Sequence, residues 1–109
     1  MKNVLITGAS GGLGKELALL FANNGWQVIA TMICLEEGKL LQDVPNIKCY
    51  LLDVTATQSI ETAKSEILKD FQTIDVIINN AGVGYRSFVE LSEDDKIKDT
   101  TITSQINSK

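Results

Sequence analysis

Thr7-Gly8-Ala9-Ser10-Gly11-Gly12-Leu13-Gly14 joins an apolar, β-compatible run, Val4-Leu5-Ile6, to the start of a helical pattern. Strand, glycine-rich turn and helix in that order form an arrangement suited to phosphate. A pyrophosphate must approach backbone N–H groups closely. Side chains would block it, and a helix N-terminus adds favourable partial charge. Gly8 suits the tight exit from the strand, Gly12 a close approach of backbone to ligand, and Gly14 close packing of the new helix on a sheet. A turn that merely joins a strand to a helix would look the same over so short a stretch, so the segments farther along decide.

Leu13, Leu17, Leu20 and Phe21 recur at helical spacing beside Ala18 and Ala22, which predicts an amphipathic helix over 13–24. Asn23-Asn24-Gly25 ends it with residues that tolerate a left-handed C-cap. A second strand follows between Trp26 and Met32, then a weakly helical stretch at 35–43 broken by Gly38, then a turn at Pro45-Asn46. Ile47 to Asp53 reads as a third strand whose nearly all-apolar centre suits burial on both faces. Thr57 is the expected N-cap of the next helix, and Ile60, Ala63, Ile67, Leu68 and Phe71 are its apolar stripe. Ile74 to Asn79 is a fourth strand. Strands alternating with helices imply a doubly wound α/β fold with a parallel sheet.

Two further signals lie at strand ends: Asp53-Val54 after the third, and Asn79-Asn80-Ala81-Gly82 after the fourth. Open α/β sheets bind ligands outside the carboxyl ends of their strands, so the fold brings all three signals to one edge. Asp53 can accept a hydrogen bond from an adenine amino group, and Asn80 offers donors and an acceptor to a ribose or to backbone. Each has a structural alternative: Asp53 as a turn or capping residue, the asparagines as side-chain ties between strands.

Taken together, Thr-Gly-x-x-x-Gly-x-Gly, Asp-Val and Asn-Asn-Ala-Gly resemble the short-chain dehydrogenase/reductase family over roughly residues 3–96. The resemblance implies a Rossmann-type sheet with strand order 3-2-1-4, NAD(P)(H) binding, and hydride transfer between the nicotinamide and an alcohol or carbonyl. By position, Gly8, Ser10, Gly11, Gly12, Leu13 and Gly14 would hold the pyrophosphate and adenosine ribose. Asp53 and Val54 would flank adenine, and Asn80, Ala81 and Gly82 would meet the adenosine-side ribose.

The pattern departs from the family in three places. An acid expected near Thr31 (for NAD) and a base expected near Ile33 (for NADP) are both absent, and Gly11 is not the Lys or Arg often found there in NADP-dependent relatives. The missing repulsion leans slightly towards NADP and does not decide. The family's acid/base Tyr is followed four positions on by a Lys that lowers its pKa. Here Tyr50 is followed at that spacing by Val54, and Tyr85 by Val89. No catalytic residue is therefore assigned. Lastly, Ser92 and Asp95 could cap a helix, but Thr100, Thr101 and Thr103 disfavour helix, and Thr101 stands nearest the family's helix Asn. Residues 1–96 thus read as a cofactor-binding half-domain, and 97–109 as a degenerate or frayed tail of the kind a premature stop or frameshift leaves. The fourth strand would then be an exposed edge, open to self-association or homodimer pairing.

Composition narrows the partners. The 109 residues are 44% hydrophobic with net charge -4, which suits one globular domain and argues against nucleic acid or an anionic membrane as partner. No window approaches the roughly 18 apolar residues of a spanning helix, and the four-residue run Val4–Thr7 is too short for a signal peptide. With no His and two cysteines, Cys34 and Cys49, a zinc site or His-based triad is excluded. The thiols are expected buried or half-buried in a reducing cytoplasm. A P-loop NTPase is disfavoured because Gly14-Lys15 leads to Glu16. Three readings remain: the cofactor portion of an oxidoreductase, inactive alone; a non-catalytic nucleotide-binding or interaction module; and a vestigial product.

Overall fold

Strand side chains point alternately to opposite faces, so a strand covered by helices on both sides must be apolar throughout. The computed structural model, which describes residues 2–53, 55–80 and 97–103, shows that logic in β1 (Asn3–Ile6), β2 (Gln27–Met32) and β4 (Ile74–Asn79). With β3 (Ile47–Leu51) and β5 (Ile97–Thr103) they pair in parallel in the order β3-β2-β1-β4-β5. β1 is central, with Leu5 beside Ile29 of β2 and Ile77 of β4.

One face carries α1 (Gly12–Asn23) and the short α2 (Lys39–Gln42), which pack Ala18, Ala22 and Leu41 on Val4, Ile6, Val28 and Ala30. The other carries α3 (Thr57–Asp70), which packs Ile60, Ala63 and Ile67 on Leu5, Ile29 and Ile77. Fully buried Leu5, Ile6, Ile29 and Ile77 each contribute about 1.5–3 kcal/mol of transfer free energy. Leu68 and Phe71 pack at the margin of the α3 core, as the stripe predicts.

The sheet contains the expected order 3-2-1-4 and extends it by one strand. The β4 edge is occupied by β5, with Ile78 beside Ile102 and Asn79 beside Thr103. The same β-branched residues that weaken a helix at 97–103 favour an extended strand. The β4 edge, expected to be open, is therefore covered.

Four smaller expectations also differ. The buried stripe of α1 is Gly14, Ala18 and Ala22, while Leu20 is exposed, because small residues let the helix axis approach the sheet. β3 lies at the sheet edge, and Leu51, expected to be buried, faces solvent beside the exposed Lys48. Ala56, not Thr57, occupies the N-cap of α3 and caps nothing with its side chain. Of the two thiols, Cys49 is half-buried but Cys34 is exposed. The C-terminus of α1 does follow the expected left-handed stop: Gly25 has φ 86°, its N–H donates to Ala22 O, and Trp26 N donates to Phe21 O. The Phe21 and Trp26 rings meet edge to face at 5.0 Å, completing this Schellman cap.

Candidate functional site

The chain leaves β1 through Gly8 and enters α1 through Gly12, both in the left-handed region with φ 63° and 57°. Only glycine adopts that conformation without cost. Gly11, the N-cap of α1, is extended and places no side chain over the helix start. The first turn holds no acidic residue, so its unpaired N–H groups and positive dipole end stay open to an anion. Gly14 is buried where any Cβ would meet the Gly8 carbonyl and lie 2.6 Å from Asn80 Nδ2.

A hydrogen-bond web ties this loop to the end of β4. The Thr7 hydroxyl accepts from the Asn80 backbone N–H at 2.8 Å and donates to Asn79 Oδ1 at 3.2 Å. Asn80 Nδ2 donates to the Gly8 carbonyl at 3.1 Å, and Thr7 N–H to the Ile78 carbonyl. Asn79 is fully buried, and its Nδ2 finds no partner among the described residues. The asparagines therefore do act as ties between strands. Sequence reasoning missed Thr7 as the bridge; its place directly before the first glycine is the signal that could have found it.

β2 ends close by. Ala9 N–H donates to the Thr31 carbonyl at 3.0 Å. Thr31 is buried, and its hydroxyl donates to the Ile6 carbonyl, so its side chain turns into the sheet. Ile33, at 71% exposure, offers no charge. The residue that reaches the loop from this side is one the sequence did not single out: Glu37, whose Oε1 accepts from the Ser10 hydroxyl at 3.3 Å.

Asp53, just past β3, spends one carboxylate oxygen on Thr55, accepting from its hydroxyl at 2.6 Å and its N–H at 3.0 Å. Those bonds hold its carboxyl below the usual carboxylate range. Its backbone N–H donates to Ser59 Oγ on α3. The turn role weighed for Asp53 is thus occupied, while its second oxygen takes no bond from the described residues. Gly8, Ser10, Gly11, Gly12, Leu13, Gly14 and Asn80 gather at one corner of the sheet. Val54, Ala81 and Gly82 lie outside the described residues, as do Ser92 and Asp95. No cluster of potential metal ligands occurs among the described residues, and none of their helices is long and apolar enough to cross a membrane.

The chain is similar to known proteins in sequence and in fold. The dehydrogenase/reductase SDR family member 6 of Danio rerio is 37% identical over 95 residues, covering 86% of this chain and 37% of the relative. The 3-oxoacyl-(acyl-carrier-protein) reductase FabG of Vibrio cholerae is 33% identical over 108 residues, covering 94% of this chain and 44% of the relative. A crystal structure of 3-ketoacyl-(acyl-carrier-protein) reductase from Brucella melitensis, complexed with NADH, superimposes with TM-score 0.70 at 26% identity, covering 75% of this chain and 34% of that one. The chain thus spans less than half the length of these relatives. The family model described as short chain dehydrogenase matches residues 2–108. With its glycine loop, its Asn-tied fourth strand and its sheet order all in agreement with that match, the chain belongs to the short-chain dehydrogenase family.

Proposed function

We propose that this chain is the NAD(P)(H)-binding portion of a short-chain oxidoreductase. The observation that carries the reading is the uncapped, acid-free start of α1 beneath two left-handed glycines. The backbone N–H groups at Gly11, Gly12 and Leu13 would hold the pyrophosphate, with Gly8 turning the chain out of β1 and Gly14 letting α1 pack closely against the loop. Ser10 would meet the adenosine ribose, with Ile33 at its 2′ side. Asp53 and Val54 would flank adenine, while Asn80, Ala81 and Gly82 would border the adenosine-side ribose. The residues fit the group, since the space beside Gly11 and Gly12 is open and leaves their backbone accessible to a ligand.

The nicotinamide, when bound, would supply or accept a hydride. The reductases among the relatives support an alcohol or carbonyl as the other reactant. This chain's own residues bind and orient; with no Tyr-x-x-x-Lys in the sequence, we assign it binding without turnover. The free thiols Cys34 and Cys49 suit a reducing, cytoplasmic setting. Residues 1–96 carry the site, and 97–109 lie apart from it in sequence.

A fluorescence titration of NADH with the 109-residue chain tests the reading. Saturable binding is expected, and Gly12→Val should weaken it at least about tenfold by placing a side chain where backbone must touch phosphate. Circular dichroism would check that the variant stays folded. Binding that is absent, or indifferent to Gly12→Val in a folded chain, would contradict it.

A further inference from the structure

Resting on the cofactor site just proposed, we propose that Glu37 makes this site prefer the dinucleotide with a free 2′-hydroxyl, NAD(H), over the 2′-phosphorylated NADP(H). The sequence alone leans slightly the other way, because the positions near Thr31 and Ile33 carry neither acid nor base. The fold changes the balance. Thr31 is bonded into the sheet, and the chain beyond Ile33 curls into a 3₁₀ turn, Leu35–Gly38, that returns towards the glycine loop.

Glu37 and Ser10 are 27 residues apart, yet their side chains meet at 3.3 Å. Both anchors of this contact are firm. Ala9 N–H is bonded to the Thr31 carbonyl, and Glu37 N–H to the Cys34 carbonyl at 3.1 Å. Gly38 is buried against Met32, where even a methyl group would collide with the sulfur, so the turn is pressed onto β2. The carboxylate therefore stands over the corner that Ser10 shares with the adenosine ribose.

Glu37 forms no ion pair with a described residue. Lys48 and Asp70 do pair, on the far side of the sheet from α1. Glu36 adds a second acid in the same turn, and Lys39 follows two positions later on α2. A 2′-phosphate at this corner would meet a carboxylate at close range, whereas a 2′-hydroxyl could donate to it in the place of Ser10.

Parallel titrations of the chain with NADH and NADPH, repeated with Glu37→Gln, test this. Glu37 is exposed, so the isosteric change should leave the circular dichroism spectrum unaltered. The natural chain should bind NADH about tenfold or more tightly than NADPH, and Glu37→Gln should bring the two within roughly threefold, chiefly by improving NADPH. Equal or tighter binding of NADPH by the natural chain, or a preference unchanged by Glu37→Gln, would overturn the role of Glu37 alone. Binding of neither nucleotide would overturn the cofactor site, and this inference with it.

Discussion

Thr7 shows how much one small side chain can hold. Its hydroxyl serves as acceptor for Asn80 N–H and donor to Asn79 Oδ1, in a place where Thr7, Asn79 and Asn80 are all buried. Removing it while keeping the shape leaves a buried N–H and a buried amide oxygen without this partner. Thr7→Val should therefore cost about 1–3 kcal/mol, measured by urea unfolding, and Thr7→Ser should restore most of the loss. The glycines of the loop were legible in the sequence because their residue type states a backbone requirement directly. The Thr7–Asn80 web was not, since its partners lie more than 70 positions apart and meet only when β1 and β4 pair. Glu37 was hidden for the same reason: an exposed acid in a weak helix carries no local sign that a turn will bring it to Ser10.

At the scale of elements, α3 was readable from its stripe and α1 only in part. The leucines of α1 suggest one face, but Gly14, Ala18 and Ala22 mark the face that packs. Hydrophobicity ranks side chains by size, whereas a helix lying against the glycine loop selects for closeness. The far end of α3 is fastened to β3 by Asp70, which accepts from the Tyr50 hydroxyl at 2.6 Å and pairs with Lys48 at 2.9 Å. The Tyr50 bond first, and Lys48 second, hold the Asp70 carboxyl below its ordinary range, while burial pushes the Tyr50 hydroxyl up. A carboxyl whose folded pKa is depressed adds stability above its unfolded value, about 4, and loses it as pH falls through the folded value. Asp70→Asn should accordingly be less stable than the natural chain at pH 7. The gap should narrow as the pH is lowered below about 4, as followed by urea unfolding across pH. Because the ion pair is half in solvent, its salt-sensitive share is small, and the gap should persist in high salt.

At the scale of the whole molecule, the order β3-β2-β1-β4 was legible because alternating strands and helices restrict an α/β sheet to few arrangements. β5 was not, because its threonines were weighed only as poor helix formers. The parallel sheet matters to function because it brings the ends of β1, β2 and β4 together, and with them Gly8, Ser10, Glu37 and Asn80. If that corner binds a nicotinamide dinucleotide, the ligand stabilises the folded chain and leaves the unfolded chain untouched. A thermal melt of the 109-residue chain with and without NADH and NADPH measures this most directly. At a ligand concentration near a hundred times Kd, the account predicts one cooperative transition raised by upward of about 10 °C. A transition that is indifferent to millimolar amounts of both nucleotides would contradict it.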